Sequence, residues 1–384
     1  MTPLAHVIVI GAGSTGSAIA HDLTLRGLKV TVLERAGVAS GSTGHNQAQL
    51  HSGARYAVND PDAARECIQE NWILRHIVPN VLELNDGLFI ATNDAGMAYR
   101  TKFLEACAMC NIPTKELKVA DILRIEPLLN PNILTAIQVP DGVFDPYRLC
   151  LSFLATAAQH GAVIRTFCEV IGLDIFNRRV TFHSRITGKD ETLQGDIIIN
   201  ATGPWVAQVA SLGEISVAVE PSAGAMLTLD QRVCQKVINL LDLPGDGDII
   251  VPQRLTSILG TTSWEVEDPT NLPVPEGSIE QIYKVAEQMI PYVRQARIRG
   301  MMAAARPLLV MEGVSGRNTT RSFACYDHTT QGAPGFYSVV GGKTTTSRLI
   351  AEQVSNQVCA FLGVDIPCGT REFTLVSYRK WSHV

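Results

Sequence analysis

The sequence predicts a mixed α/β fold in which a β-rich domain is inserted into a domain assembled from both ends of the chain. Three observations support this fold class. Helices and strands alternate in the N-terminal third, the same alternation returns in the C-terminal third, and the middle is mostly strand-like. We expect residues 1–86, 145–214 and 327–384 to form the first domain, and residues 87–144 and 215–326 to form the second.

The composition fits a globular protein with a large core, since 46% of the 384 residues are hydrophobic and 18% are charged. A formal net charge of −5 gives no general attraction to nucleic acid, so we expect no such partner. No apolar run approaches the ~20 residues that span a bilayer, and the N-terminus lacks signal-peptide features. Nine cysteines without a repeated spacing indicate reduced thiols. We expect a cytoplasmic protein whose contact with the inner face of the cytoplasmic membrane is at most peripheral.

The chain begins with a predicted βαβ unit. Residues 6–10 and 29–34 are β-branched runs, and Ser14 to Arg26 carries small and apolar residues at helical spacing. The further predicted helices are 61–77, capped by Asp60, then 97–109, a helix opened by Asp145-Pro146, 278–289 and 343–361. The predicted strands are 87–91 and 335–340, with a small antiparallel insert at 163–167, 179–186 and 196–199 that returns to the main sheet.

The motif Gly11-Ala12-Gly13-Ser14-Thr15-Gly16 lies between the first strand and the first helix. Its glycines permit a tight turn, a close approach of the backbone to a pyrophosphate, and close packing of helix on strand. The free amides at the helix N-terminus attract phosphate. Glu34 ends the second strand 18 residues after Gly16, where a carboxylate accepts hydrogen bonds from ribose hydroxyls. This spacing predicts a dinucleotide site.

Two later segments favour FAD over NAD. The segment from Asn200 to Trp205 follows a strand in the manner of the second FAD contact of glutathione-reductase-type flavoproteins. Gly341-Gly342-Lys343 follows another strand and opens the predicted last helix, whose N-terminus can stabilise negative charge on a reduced flavin. The first domain is therefore predicted to be a Rossmann-like FAD-binding domain of glutathione-reductase type.

These motifs and their order resemble the FAD-dependent glycerol-3-phosphate dehydrogenases, within the D-amino-acid-oxidase-like flavoproteins. The closer likeness is to the catalytic large subunit of the anaerobic bacterial enzymes. The stretches that carry the resemblance are 11–16, Ser42-Thr43-Gly44-His45-Asn46, Leu50-His51-Ser52-Gly53-Ala54-Arg55-Tyr56, Ala201-Thr202-Gly203-Pro204-Trp205, Gly260-Thr261-Thr262, Ala305-Arg306-Pro307-Leu308 and Gly341-Gly342-Lys343.

The resemblance implies roles for individual residues. Its implied catalytic residues are His51, Arg306 and Lys343, and its substrate-binding residues are Arg55, Tyr56, Arg306, Arg321 and Lys343. The expected contacts to non-covalent FAD are Gly11, Gly13, Ser14, Thr15, Gly16, Glu34, Arg35, Ser42, Thr43, Asn46, Ala201, Thr202, Gly203, Trp205, Gly341, Gly342, Lys343 and Thr344.

The chemistry of a phosphorylated alcohol calls for the same residue types. A phosphate monoester carries nearly two negative charges, which arginines and a lysine can match. Hydride transfer from the substrate C2–H to flavin N5 also needs a base for the hydroxyl proton, and neutral His51 has a suitable intrinsic pKa. The alternatives are that His51 orients flavin or substrate, and that Arg55 and Arg321 form surface ion pairs.

Two further features, a cysteine pair and a histidine, have an ordinary structural explanation, and a third bears on the substrate. Cys107 and Cys110 have no second pair at zinc-type spacing, so we expect buried thiols and no metal site. His45 lies near the expected flavin, but nothing local requires a covalent bond. Ala303-Ala304-Ala305 precedes Arg306 where relatives that act on glycerol 3-phosphate tend to have Ser-Gly and a variable residue, which bears on substrate identity.

The sequence ends at Val384, so we expect the chain to lack the cysteine-rich C-terminal domain of the anaerobic large subunit. The function implied by the resemblance is oxidation of glycerol 3-phosphate or a related polyol phosphate, with electrons passed to a quinone or a partner protein. Two alternatives stay open: an amino-acid or 2-hydroxy-acid oxidase on the same fold, and a non-catalytic flavoprotein that transfers electrons.

Overall fold

The computed structural model of the chain describes residues 5–310 and 322–381. The strands of these residues are β1 (His6–Ile10), β2 (Lys29–Leu33), β3 (Gln49–Leu50), β4 (Leu82–Glu83), β5 (Gly87–Ala91), β6 (Lys115–Leu117), β7 (Thr135–Val139), β8 (Gly142–Phe144), β9 (Val163–Arg165), β10 (Cys168–Asp174), β11 (Arg179–Ser184), β12 (Lys189–Gln194), β13 (Ile197–Asn200), β14 (Glu220–Leu229), β15 (Val237–Leu240), β16 (Ile249–Gln253), β17 (Thr256–Gly260), β18 (Trp264–Glu265), β19 (Ile298–Leu308), β20 (Phe323–Asp327) and β21 (Phe336–Gly341). The helices are α1 (Ser14–Leu25), α2 (Pro61–Ile77), α3 (Asp94–Met109), α4 (Val119–Ile125), α5 (Pro146–Gln159), α6 (Val206–Ser211), α7 (Ser278–Met289) and α8 (Ser347–Leu362).

One sheet has six strands in the order β20-β21-β13-β1-β2-β9. All neighbouring pairs are parallel except β20 and β21. Helices α1, α5 and α8 pack together beside this sheet, where Val7 and Val9 point into their core. Ile8 and Ile10 face a second core on the other side with Val206. Because both faces are buried, β1 is a continuous apolar run. The mixed α/β fold, with a largely parallel sheet built from both ends of the chain, is as the sequence predicts.

A second, nine-stranded sheet follows the order β18-β14-β17-β16-β15-β5-β7-β6, with β19 pairing along the length of β14. Its strands are antiparallel except for the parallel pair β15 and β5. Helix α7 packs on one face of this sheet through Ile282, Ala286 and Met289, which are fully buried. The expected domain boundaries stay a prediction. Most of strand β20 falls in the expected second domain, but the strand pairs in the six-stranded sheet.

Two small sheets complete the fold. Strands β3, β8 and β4 form one, and β10, β11 and β12 form an antiparallel meander. The expectation that 163–167 belongs to this antiparallel insert is wrong, because β9 pairs in parallel with β2 at the edge of the six-stranded sheet. A strand of three residues carries too little alternation to distinguish the two pairings.

The boundaries of the predicted helices agree within one residue with the structure, except that α3 begins at Asp94 rather than at residue 97 and that α8 begins later than expected. Helix α2 begins at Pro61, and the Asp60 side chain accepts the Ala63 N–H at 3.2 Å. Helix α8 begins at Ser347 rather than at residue 343, because a separate 3-10 turn at Thr344–Thr346 precedes it. Within residues 5–310 and 322–381, every helix is too short or too polar to traverse a lipid bilayer.

A buried ion pair joins α2 to α8. The guanidinium of Arg348 is 1% exposed and donates from Nε to Glu70 at 2.8 Å. Its Nη1 donates to Glu352 at 2.7 Å and to the Thr370 hydroxyl at 3.0 Å. Thr370 lies in the C-terminal segment after α8, so this one side chain joins three parts of the chain.

Replacement of Arg348 should therefore be strongly destabilising. Arg348→Ala leaves Glu70 as a buried charge without its cation, which should lower the free energy of unfolding by about 3–5 kcal/mol. Urea unfolding of the purified protein measures this change. Arg294→Ala is the matched control, because Arg294 pairs with Glu280 and Glu287 at the surface and its loss should cost far less. Equal losses in the two variants would contradict the structural role of the Arg348 pair.

Candidate active site

A cavity of about 970 Å³ opens where the strands of the six-stranded sheet end. The residues that follow β1, β2, β13 and β21 line one side, since parallel strands present their carboxyl ends at the same edge. Met226, Ile249 and the end of β19 line the side formed by the nine-stranded sheet. The volume of the cavity lies near the upper end of the usual range for ligand pockets.

The glycine motif forms a tight strand-to-helix turn at this cavity. Gly11 has φ +105, and a Cβ on it would lie 2.6 Å from the carbonyl oxygen of Ala201. A Cβ on Gly16 would lie 2.0 Å from the Gly11 carbonyl oxygen. The residue before α1 is Gly13, which has no side chain to cap the helix amides. The turn therefore presents a closely packed backbone and a helix N-terminus to the cavity.

Glu34 and Arg35 line the cavity just after β2. The two Glu34 oxygens accept the N–H groups of Ala12 at 2.8 Å and Ala36 at 2.9 Å. The Ser40 hydroxyl also donates to Oε1, at 3.4 Å. Oε2 has one protein donor, so its second lone pair can accept from a ribose. The Arg35 guanidinium lies 4.0 Å from the ring centroid of Trp205, and this cation–π contact joins two of the predicted cofactor segments.

The segment 42–46 is fixed between α1, β19 and the turn before α8. Thr43 Oγ1 accepts the Ser14 N–H at 3.0 Å, and the Ser42 hydroxyl donates to the Ala305 carbonyl at 2.6 Å. Asn46 Nδ2 donates to the Thr43 carbonyl at 2.7 Å and contacts Thr344 Oγ1 at 3.4 Å. His45 is exposed and lines the same cavity. That FAD is bound without a covalent bond to His45 stays a prediction.

Nearly all of the predicted site residues that the structure describes line this one cavity. They are Gly11, Gly13, Ser14, Thr15, Glu34, Arg35, Ser42, Thr43, Asn46, His51, Arg55, Tyr56, Ala201, Thr202, Gly203, Trp205, Arg306, Gly341, Gly342, Lys343 and Thr344. Gly16 lies behind the cavity wall, where it packs against Gly11. Arg321 lies outside the described residues.

His51 lies beside two cationic side chains. Burial, followed by the nearby charges of Lys343 and Arg55, lowers the pKa of His51 to about 3. The His51 and Tyr56 rings have centroids 5.3 Å apart, and Lys343 Nζ lies 4.8 Å from the Tyr56 centroid. The His51 N–H donates to Thr345 Oγ1 at 3.2 Å, next to the turn that carries Lys343. His51 is therefore uncharged at neutral pH and retains a ring nitrogen that can accept a proton.

Arg55 is an interior residue rather than a surface one. Its Nη2 donates to Asp248 at 2.8 Å, and both side chains are less than 10% exposed. Although burial opposes the charge, Asp248 raises the pKa of Arg55. The expected alternative of a surface ion pair does not apply to Arg55. Sequence reasoning missed Asp248, because an aspartate in a Gly-Asp-Gly-Asp loop reads as an ordinary turn.

Arg306 is oriented by acceptors from the nine-stranded sheet. Its Nη1 donates to the carbonyls of Ser222 at 3.4 Å and Ala223 at 3.3 Å, and Nη2 donates to Thr262 O at 3.2 Å. Nη2 also donates to the Thr261 hydroxyl. These carbonyl and hydroxyl oxygens fix the direction of the guanidinium and carry no formal charge themselves.

Gly224 makes room for Arg306. A Cβ at Gly224 would lie 2.4 Å from Arg306 Nη2 and 2.6 Å from the Thr262 carbonyl oxygen. Sequence reasoning did not select Gly224, because it belongs to no cofactor-binding motif.

Cys107 and Cys110 are both buried, as expected, and burial raises the pKa of Cys107 to about 12. These groups are thiols, not thiolates, at neutral pH. In the described part of the chain, His, Cys, Asp and Glu side chains do not gather in groups of three or more that could hold a metal ion.

Comparison with known proteins identifies the family. Residues 6–354 match the family of FAD-dependent oxidoreductases known as DAO. The chain belongs to this FAD-dependent oxidoreductase family. It is 39% identical over 383 residues to the A1 subunit of the anaerobic glycerol-3-phosphate dehydrogenase of Haloferax volcanii, covering 95% of this chain and 65% of that protein. It is 37% identical over 380 residues to the corresponding subunit of the Escherichia coli K12 enzyme, covering 96% of this chain and 69% of that protein.

The family resemblance inferred from the motifs is thus confirmed, although the chain spans only about two thirds of the length of these relatives. A solved structure with the same fold is the glycerol-3-phosphate dehydrogenase from Bacillus halodurans complexed with FAD. It aligns with a TM-score of 0.74 and 23% identity, covering 97% of this chain and 68% of that one.

FAD is the cofactor of this family, and the cavity fits it. Residues 11 and 16 must be glycine for steric reasons. The backbone at the start of α1 is therefore not covered by side chains from these two residues. A carboxylate at Glu34, the cation of Arg35 and the turn after β21 line the same cavity. The glycine turn suits a pyrophosphate, Glu34 suits a ribose, and the turn after β21 suits an electron-rich ring edge.

The glycine turn provides a direct test of this assignment. Gly16→Ala places a Cβ against the Gly11 carbonyl, and relief of that clash should cost about 1–3 kcal/mol and weaken FAD binding by about tenfold or more. The flavin content of the purified protein, together with an FAD titration of the apoprotein, measures the loss. Gly37→Ala is the control, because a Cβ there meets no atom within 4 Å. Full flavin content and unchanged affinity in Gly16→Ala would refute the assignment.

Proposed function

We propose that this protein oxidises the secondary alcohol of glycerol 3-phosphate, or of a closely related polyol phosphate, to the ketone. The observation that carries the proposal is the grouping of Arg55, Arg306 and Lys343 around one cavity with the uncharged His51. The names of the relatives, glycerol-3-phosphate dehydrogenase subunits, support the same substrate class.

The cationic side chains fit a phosphate monoester better than a carboxylate. A phosphate dianion presents three oxygens and nearly two charges, which guanidinium and ammonium donors match with charge-assisted hydrogen bonds. Arg55 shares one nitrogen between Asp248 and the Gly245 carbonyl. Arg306 and Lys343 bring two more positive charges to the same cavity. An amino acid or 2-hydroxy acid carries only one negative charge and needs fewer cations.

His51 would take the proton of the C2 hydroxyl. When bound, FAD supplies the acceptor for the hydride that leaves C2. In the free protein His51 is a weak base, because burial, Lys343 and Arg55 all lower its pKa. A bound phosphate dianion would offset the two cations and make His51 more basic in the complex. The base strength of His51 would thus increase when a phosphorylated ligand is bound.

Electrons would then leave for a quinone or a partner protein. The relatives are named as subunits, which supports a partner protein.

Anaerobic stopped-flow mixing tests the proposal. Holoprotein is mixed with glycerol 3-phosphate, other polyol phosphates, free glycerol, lactate or glycine, and the loss of oxidised-flavin absorbance is followed. We expect reduction by one or more polyol phosphates, with a second-order rate constant at least about 100-fold greater than for the matching free polyol, because two or more charge-assisted hydrogen bonds are lost with the phosphate.

The other outcomes discriminate between the alternatives. Reduction by lactate or glycine, but by no polyol phosphate, would contradict the proposal in favour of an oxidase of small acids. A flavin that no compound reduces would favour a non-catalytic electron carrier.

A further inference from the structure

We propose that two buried carboxylates position the active-site segment 49–56 independently: Asp141 fixes His51, and Asp248 fixes Arg55. This inference rests on the proposed function, in which His51 accepts the proton and Arg55 binds the phosphate. Neither aspartate contacts the substrate in this scheme. Both are positioning residues, and they lie on different elements of the fold, Asp141 between β7 and β8 and Asp248 between β15 and β16.

Asp141 holds the chain on both sides of His51. Its Oδ1 accepts the Ser52 N–H at 2.7 Å, and its Oδ2 accepts from Gln49 Nε2 at 3.0 Å. The Asp141 side chain is almost fully buried, as are Gln49 and Ser52. Displacement of the segment would break hydrogen bonds to a buried carboxylate, which is costly because water cannot replace them.

Two side chains of helix α2, Asn71 and Arg75, also hold this part of the chain in place. Asn71 Nδ2 donates to the His51 carbonyl at 3.2 Å and to the Pro140 carbonyl at 3.0 Å. Arg75 donates to Asn71 Oδ1 at 2.7 Å and to the Pro140 carbonyl at 2.7 Å. The backbone of His51 and the backbone before Asp141 are thus tied to the same two side chains.

The space around Asp141 accepts aspartate and little else. A Cβ on Gly87 would lie 2.6 Å from Asp141 Oδ2 and 2.8 Å from its Cβ. Glycine at 87 therefore leaves the volume that the carboxylate occupies. Gly87→Ala would displace the carboxylate while leaving the charge in the protein.

Asp248 holds Arg55 through a separate set of contacts. Asp248 Oδ1 accepts from Arg55 Nη2 at 2.8 Å, while Oδ2 accepts the Gly245 N–H at 2.7 Å. Arg55 Nη2 also reaches the Gly245 carbonyl at 3.3 Å. The residues between β15 and β16 therefore form a hydrogen-bonded site for the guanidinium in which Asp141 is not a partner. The charge of Asp141 adds only to the electrostatic effect of Asp248, which raises the pKa of Arg55.

The two anchors should have separable effects on the reaction. A misplaced base slows the chemical step, and a displacement of about 1 Å can cost about 100-fold in rate. A misplaced phosphate ligand weakens binding of substrate and of inorganic phosphate alike. A general collapse of the segment would instead impair both properties together.

The experiment uses the FAD-loaded protein and two measurements. The limiting rate of anaerobic flavin reduction at saturating glycerol 3-phosphate reports the base. The dissociation constant of inorganic phosphate, followed by perturbation of the flavin spectrum, reports the phosphate subsite without turnover.

We expect Asp141→Ala to lower the limiting rate by about tenfold or more. It should change the phosphate dissociation constant by no more than about twofold, because Arg55 keeps its own hydrogen-bonded site. Asp248→Ala should raise the phosphate dissociation constant by about tenfold or more. Asp141→Asn, which keeps an oxygen acceptor for Ser52, should restore most of the rate. If Asp141→Ala gives no holoprotein, Gly87→Ala replaces it and should show the same low rate with near-normal phosphate binding.

Glu126→Ala is the matched control. Glu126 is also a buried carboxylate that accepts backbone N–H groups, from Gln235 and Lys236 at 2.7–3.0 Å. It lies directly after α4 and does not line the cavity. Its removal should leave both measurements within about twofold of wild type.

The proposal would be overturned if the limiting rate and the phosphate affinity fell together in both the Asp141 and the Asp248 variants. It would also be overturned if both variants gave the same rate and the same phosphate affinity as Glu126→Ala. Failure of the wild-type protein to react with any polyol phosphate would contradict the proposed function instead. The phosphate titrations would then still decide the inference, since unequal effects of Asp141→Ala and Asp248→Ala support separate anchors and equal effects refute them.

Discussion

Two cations beside a half-buried, uncharged histidine are the interaction on which the rest of the site depends. Lys343 and Arg55 lie close enough to His51 to add to the effect of burial and lower its pKa to about 3. Desolvated cations are costly unless an anion or polar groups compensate them. Asp248 compensates part of the charge at Arg55, and an anionic substrate would complete the balance. The same charges would select the ligand and control the strength of the base.

The fold makes this arrangement by bringing distant parts of the chain to one sheet edge. The ends of β1, β2, β13 and β21 supply the cofactor side of the cavity, and β19 carries Arg306 in from the other sheet. The turn before α8 supplies Lys343 and also bonds the His51 backbone through Thr345. The glycine turn and the cation cluster therefore belong to one continuous cavity rather than to two sites.

The local features of the fold could be predicted from sequence, because their physical causes lie within a few residues. The glycine turn, Glu34 at the end of β2 and the Asp60 cap of α2 all depend on short-range geometry. The pairing of β9 with β2 could not, because a tertiary contact decides it. The start of α8 at Ser347 was missed because a 3-10 turn directly precedes the α-helix, and sequence patterns locate helix ends only within a few residues. The family motifs selected the residues that line the cavity, but not the side chains that hold those residues in place.

Those supporting side chains lie far away in sequence. Asp248 and its partner Arg55 are 193 positions apart in the sequence, and Asp141 and its partner Ser52 are 89 apart. No rule of sequence spacing connects residues so far apart. Both aspartates stand next to glycine, where sequence reasoning finds only a turn. Burial, which the sequence does not display, converts an ordinary turn residue into an anchor for the site.

The cations around His51 are proposed to form a phosphate subsite next to the flavin. A crystal structure of the FAD-loaded protein with inorganic phosphate would locate this subsite. We expect phosphate within hydrogen-bonding distance of Arg55 and Lys343, with His51 between the ion and the flavin ring. Phosphate bound elsewhere at full FAD occupancy, or a flavin ring remote from His51, would rule out the proposed subsite.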